Sequence, residues 1–153
     1  ALSGNEFTKK IDTYAKENNS EVLLISAKIE SEISQITDFK DKQDFLESMG
    51  LKETGLKRVI KKGYEILNYI NYFTAGEKEL RAWTITKGTL APSAAGTIHS
   101  DMEKGFIRAE TISFDDYLSH KGETGAKEKG KLRLEGKEYE VKDGDIMHFL
   151  FNV

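Results

Sequence analysis

The chain contains no cysteine, which excludes disulfides and thiolate metal sites and suits a reducing cytoplasm. It contains one proline, Pro92, so turns must be made mainly by glycine and by short polar side chains. No apolar run approaches the ~18 residues that cross a bilayer, and no signal-peptide pattern opens the chain. Neither charge sign dominates: 23 basic residues stand against 26 acidic ones in 153, which argues against a general DNA-binding protein. There is no G-x-x-x-x-G-K-[ST] segment to cradle phosphates. The three histidines, His99, His120 and His148, form no pair at i,i+3 or i,i+4, so a metal site is not expected. No nucleophile–base pair or carboxylate pair is placed to carry catalysis, and no catalytic residue is assigned.

From Thr74 onward the chain reads as a self-contained α+β module. Glu79–Thr86, Gly105–Ile112 and Asp145–Val153 have the composition of strands. In the last, Met147, Phe149, Phe151 and Val153 alternate with Ile146 and Leu150. A strand apolar on both faces belongs in the middle of a sheet. Pro92 suits the first turn of a helix reaching about His99, and Ser93, Ala94, Ala95 and Gly96 would let that helix lie close on the sheet. Ser113–Asp116 resembles a capping box opening a second helix, whose apolar face is Phe114, Tyr117 and Leu118. Gly122, Gly125 and Gly130, interleaved with Lys121, Lys127, Lys129 and Lys131, predict a mobile basic loop. A hairpin is expected around Glu135–Gly136. This order of elements predicts a β-grasp (ubiquitin-like) sheet.

Upstream, Phe7, Ile11, Tyr14 and Ala15 form a helical stripe. Val22–Ile25 is apolar on both faces, as a buried parallel strand would be, and nothing else before Thr74 looks like its neighbour. We therefore expect it to be left from a larger α/β domain, with further sequence before Ala1. A helix from about Thr54 to Asn68 carries Leu56, Val59, Ile60, Gly63, Tyr64 and Leu67 on one stripe. Gly63 there predicts close helix packing, and Tyr69–Phe73 reads as an apolar junction.

These residues resemble a known family. Tyr72–Gly76, Arg81–Thr84, Ile98–Asp101, Glu103–Glu110 and Asp143–Phe149 look like the TGS domain of the YchF-type Obg-like ATPases, which are translation-factor-class P-loop NTPases. The resemblance spans the chain and is densest from Tyr72. It implies that residues 1–46 are the C-terminal remnant of an Obg-type nucleotide-binding domain, 47–67 connecting helices and 68–153 the TGS domain. Ser26, Ala27 and Lys28 would be the remnant of its base-recognition loop. The family's Asn-x-x-Glu motif, its phosphate loop and its coiled-coil arm are absent. ATP and Mg²⁺ are thus implied for the full-length protein and no cofactor for this chain, which should not hydrolyse ATP.

The implied partner is a ribosome or rRNA. Lys104, Arg108, Lys121, Lys127, Lys129, Lys131 and Arg133, with His99, are the candidate contacts, since counterion release rewards cations on a polyanion. His99, at the end of its helix, could equally fasten the next turn. Thr74–Val153 holds 12 basic and 14 acidic residues, a net of −2, so such binding would be local and weak to moderate. The alternative is a protein partner on the β-grasp sheet with no direct RNA contact. Trp83, Phe106, Phe149 and Phe151 are expected in the core rather than as stacking platforms.

Overall fold

A computed structural model describes residues 4–76 and 79–152. The chain divides into two compact units, one up to Gly63 and one from Tyr64.

The first unit is helical. Helix α1 (Glu6–Glu17) starts from a reciprocal cap: Asn5 Oδ1 accepts the Phe7 and Thr8 amides, both at 3.0 Å, and Thr8 Oγ1 accepts the Asn5 amide at 2.7 Å. Helix α2 (Ala27–Gln35) follows Ser26, and α3 (Phe39–Ser48) is capped by Asp38 at 2.8 and 3.0 Å. Helix α4 (Gly55–Ile66) begins in this unit and takes its N-terminal cap from a distant side chain. The Glu30 carboxylate accepts the Gly55 amide at 2.7 Å and the Leu56 amide at 3.2 Å. Free helix-start amides favour an anion. Gly55 is required there, because a Cβ would sit 2.8 Å from Glu30 Oε1 and 2.9 Å from Ile25 Cγ2.

Two expectations for this region fail. Val22–Ile25 runs into α2 without joining a sheet, and Ile25 is exposed. A strand is stable only against a partner, and among the described residues of this unit there is no other strand. The apolar stripe of α4 is not packed either: Leu56, Val59, Ile60 and Leu67 are exposed, and nothing lies within 4 Å of where a Gly63 Cβ would stand. On α1 only Ala15 is buried, while Phe7, Ile11 and Tyr14 face solvent.

The second unit is built on a five-stranded mixed sheet: β1 (Tyr69–Ala75), β2 (Leu80–Thr86), β3 (Phe106–Ser113), β4 (Arg133–Glu135) and β5 (Asp145–Phe151), in the order β2-β1-β5-β3-β4. The two-faced apolar strand β5 is central, parallel to β1 and antiparallel to β3. Val153, expected to extend it, lies outside the described residues. Tyr69–Phe73 is strand β1 rather than a junction. It pairs antiparallel with β2, with Tyr72 opposite Trp83 and Ile70 opposite Ile85.

The sheet's core face carries Tyr72, Ile85, Ala109, Met147 and Phe149 under helix α5 (Ala91–Ile98). Ala91, Ala94 and Ala95 are fully buried, so their small side chains bring α5 against the sheet as expected. The Tyr72 hydroxyl donates to the Ala94 carbonyl at 2.8 Å and lies 3.0 Å from Thr97 Oγ1. Burial pushes its pKa up to about 12. Phe149 meets Tyr72 and Phe106 edge-on, with centroids 5.7 and 6.2 Å apart. A short helix α6 (Ser100–Lys104) follows α5.

Beyond β3, helix α7 (Phe114–Ser119) is capped by Ser113, and Phe114 packs on Phe73 at 6.2 Å, whereas Leu118 remains exposed. The expected basic loop contains helix α8 (Glu123–Glu128). Gly125 lies inside that helix because its Cα passes the His120 carbonyl so closely that a Cβ would overlap it. The expected hairpin at Glu135–Gly136 does not form. Glu140 bridges to Leu90 instead, with the Ala91 amide on the Tyr139 carbonyl at 2.8 Å and the Val141 amide on the Thr89 carbonyl at 3.0 Å. Val141 is thereby buried in the core. No described helix is long and apolar enough to cross a membrane.

Candidate functional site

The candidate cations fall into separate places. Lys121, Lys127, Lys129 and Lys131 belong to the α7–α8 segment: Lys121 follows α7 with φ +59°, Lys127 is in the last turn of α8 and Lys129 caps it. Lys131 Nζ lies 3.3 Å from Asp116 Oδ1. The Ser113 hydroxyl, and to a lesser degree Lys131, holds the Asp116 carboxyl below the usual carboxylate range. Lys121, Lys127 and Lys129 make no ion pair among the described residues.

Arg133 is occupied in the fold. Its Nε is 3.1 Å from Glu135 Oε1, and its Nη2 donates to the Tyr139 hydroxyl at 3.1 Å and to Asp145 Oδ1 at 3.4 Å. Asp145 is buried and also accepts from the Tyr139 hydroxyl at 2.7 Å and the Lys142 amide at 2.9 Å. Such a group serves β4 and β5 before it can serve a ligand.

A second pair of cations lies at the far end of β3. Lys104 ends α6, and Arg108 pairs across from Leu150 of β5. Both are exposed and without an ion pair among the described residues. His99 caps α6: its Nδ1 accepts the Asp101 amide at 3.2 Å, and the ring stays largely exposed. His148 is exposed on β5, its Nδ1 3.4 Å from Glu110 Oε2.

Sequence reasoning missed an open cleft of about 670 Å³ at the β1–β2 end of the core face, where Arg81, Trp83, Ile98, Met102, Phe149 and Phe151 converge. Phe106 and Phe149 are buried as expected, but Trp83 is half-buried and Phe151 is 40% exposed. The available signal was Arg81 two residues from Trp83 on a strand, since alternate residues share a face.

In the first unit, Ser26 is the α2 N-cap, accepting the Ile29 amide at 3.4 Å, and Ala27 and Lys28 are exposed in the first turn. Ser26 borders an open cleft of about 470 Å³ with Leu24, Ile25, Glu30 and Arg58. Arg58 is held by donating to the Leu24 carbonyl at 3.2 Å, and Glu30 by its two amides. Among the described residues no group of three or more His, Asp or Glu could hold a metal ion. Ser26, Glu30 and Arg58 are thus each engaged by a backbone group of the fold.

Comparison with known proteins adds the following. The family YchF-GTPase_C, described as "Protein of unknown function (DUF933)", matches residues 69–152. The chain is 56% identical over 151 residues to "Ribosome-binding ATPase YchF" of Bacillus subtilis, covering 99% of this chain and 41% of that protein. It is 53% identical over 152 residues to the Escherichia coli O157:H7 protein of the same name, covering 99% and 42%. The solved structure of the Schizosaccharomyces pombe YchF GTPase superposes with a TM-score of 0.83 at 35% identity, over 97% of this chain and 39% of that one. The chain thus spans about two fifths of the length of the curated relatives it matches.

Proposed function

From the premise that the chain belongs to the YchF family, we infer that it works as the C-terminal region of a ribosome-associated ATPase. Its second unit is a TGS domain of the β-grasp class, acting as a regulatory module that binds RNA or the ribosome and makes no covalent bonds. The observation that carries this reading is the 53–56% identity, along almost the whole chain, to proteins named for ribosome binding. The β2-β1-β5-β3-β4 order with its parallel central pair supports the β-grasp class. ATP and Mg²⁺ belong to the full-length protein, in which Ser26–Lys28 would meet the edge of the base while the phosphates are held elsewhere. The exposed Phe7, Ile11 and Tyr14 suit burial against the rest of such a nucleotide domain. A cytoplasmic location follows from the partner.

The contacts we assign to the ribosome are Lys121, Lys127 and Lys129, which make no ion pair among the described residues. A protein-only contact on the sheet is the competing reading. Pelleting of the 153-residue chain with ribosomes across a salt series separates them. Joint replacement of the three lysines by Ala should weaken pelleting at low salt, with the difference shrinking as salt rises. Undiminished pelleting of that variant at low salt would sink this assignment and favour the protein contact.

A further inference from the structure

We propose that the free edge of β2 pairs antiparallel with the same edge of a second copy of this chain, joining two sheets about a two-fold axis at Trp83. The inference goes beyond the ribosome reading and does not depend on it.

Strand β2 ends the sheet, with β1 as its one neighbour there. Its residues pair with β1 in an unbroken register, from Leu80 opposite Ala75 to Thr86 opposite Tyr69. The ladder fixes which groups are spent on β1. The Gly76 amide donates to the Glu79 carbonyl at 2.9 Å, and the Lys87 amide to the Asn68 carbonyl at 2.7 Å. Antiparallel pairs alternate between bonded and non-bonded, so the odd-numbered residues from Glu79 to Lys87 bond to β1. The amides and carbonyls of Leu80, Ala82 and Thr84, with the Thr86 amide, therefore point away from it. The Thr86 carbonyl already accepts the Thr89 amide at 3.1 Å. Ala82 and Thr84 are exposed, as an uncovered edge requires.

Folded proteins blunt such edges with proline, lysine, a bulge or a covering loop. Leu80–Thr86 contains no proline and no lysine, and its register has no bulge. Its one charge, Arg81, is drawn over the Trp83 ring, with the central guanidinium carbon 5.0 Å from the centroid. The opposite edge strand, β4, is only three residues long.

The sequence of the β2 edge is complementary to itself. With Trp83 on the axis, Ala82 faces the second copy's Thr84, and Leu80 faces its Thr86. Outward amides then meet outward carbonyls along both strands. On the core-face row, Glu79 faces the second copy's Lys87, and symmetry makes that pair twice. Both residues are exposed, and Lys87 makes no ion pair among the described residues. Arg81, whose Nε lies 3.1 Å from Glu79 Oε1, faces Ile85. The two half-buried Trp83 rings meet at a non-bonded pair, where side chains approach most closely. Sliding the strands by two residues one way sets Arg81 against Lys87, and the other way sets Glu79 against Ile85. Opposite charges across a strand pair stabilise and like charges destabilise, so charge selects the register centred on Trp83. The pairing uses up the long edge of each sheet and closes at two copies.

Sedimentation of the 153-residue chain over a concentration series should show the mass rising from one copy to two. Amide exchange at Ala82 and Thr84 should slow as concentration rises, while Trp83 and Ile85, already bonded to β1, keep their rates. Ala82→Pro removes two symmetry-related donors at an edge position that tolerates proline, and should raise the dimer dissociation constant about tenfold. Glu79→Lys and Lys87→Glu should each weaken the dimer, and the two together should restore it, because the exchanged charges meet across the axis. Both swaps are at exposed positions, so they decide the matter even where the proline variant unfolds. A mass of one copy at every concentration overturns the proposal and leaves the edge to a strand of another protein. So does a dimer in which Ala82 and Thr84 exchange unchanged, which would place the contact elsewhere, as on the exposed stripe of α4. Failure of the double swap to restore association removes the register and the proposal with it. Ribosome pelleting is read separately, and neither result decides the other.

Discussion

The Tyr139 hydroxyl donates a 2.7 Å hydrogen bond to Oδ2 of the buried Asp145. It thereby joins the segment that replaced the expected hairpin to the first residue of the central strand. Burial, followed by that carboxylate, holds the phenol protonated well above its ordinary range.

Alkaline stability follows from this pair and from Tyr72, whose pKa burial raises to about 12. In the unfolded chain both phenols titrate near 10. Between that value and their folded values the unfolded state binds fewer protons, so stability falls as pH rises. Below about pH 10 both states are protonated and the contribution is fully present. Urea midpoints followed by Trp83 emission should be level from pH 8 to 9.5 and fall by pH 11. Tyr139→Phe should flatten that fall while costing about 1 kcal/mol at neutral pH. A wild-type midpoint unchanged at pH 11 would refute the argument.

Glu30 is expected to govern the start of α4. Glu30→Ala removes the acceptor for two helix-start amides, at a cost of about 1–2 kcal/mol. Amide exchange should accelerate at Gly55 and Leu56 while strands β3 and β5 keep their protection. Unchanged exchange at those two amides would show that the cap is not used in solution.

Arg133 and the α8 lysines should behave oppositely. Arg133→Ala leaves the buried Asp145 short of a cationic partner and should destabilise by about 1–2 kcal/mol. Lys127→Ala with Lys129→Ala should stay within about 0.5 kcal/mol. Thermal unfolding of the two variants side by side decides this.

Thr111 is fully buried, and its hydroxyl has no hydrogen-bond partner in the described structure. Thr111→Val keeps the β-branched shape that suits β3 and removes the unpaired polar atom. A stabilisation of about 1 kcal/mol is expected, read as a higher urea midpoint with an unchanged slope. A lower midpoint would mean that the hydroxyl is satisfied in solution.

What was legible in the sequence tracked how local each cause was. The central place of β5 could be read because Met147 and Phe149 on one side and Ile146 on the other are all apolar, and all three are buried. The alanines of α5 announced a close helix for the same reason. Strand β1 was hidden because Tyr69–Phe73 mixes apolar residues on both faces with Asn71, and only its partners β2 and β5 show it to be a strand. Helix α8 was obscured by Gly122 and Gly125, the first demanded by its φ of +113° and the second by the His120 carbonyl rather than by looseness. The bridge from Glu140 to Leu90 spans fifty residues, and no local pattern encodes it. Among the site residues, the lysines could be named from charge alone. That Arg133 is spent on Asp145, or that Trp83 opens to solvent beside Phe151, depends on contacts between distant strands.

The parallel contact between β1 and β5 also has a bearing on how the unit is made. The two strands meet at Phe73 and Ile146, so the first strand synthesised waits for the last. During synthesis β1 and β2 can form only a hairpin with Tyr72 and Ile85 exposed, because a two-stranded ribbon is marginal in water. Closing the sheet requires a long loop to be paid in entropy before any central pairing rewards it. Folding of this unit is therefore held back until residues 145–151 are clear of the ribosomal tunnel, and a nascent chain halted before them would present an unfinished, sticky sheet at the tunnel mouth.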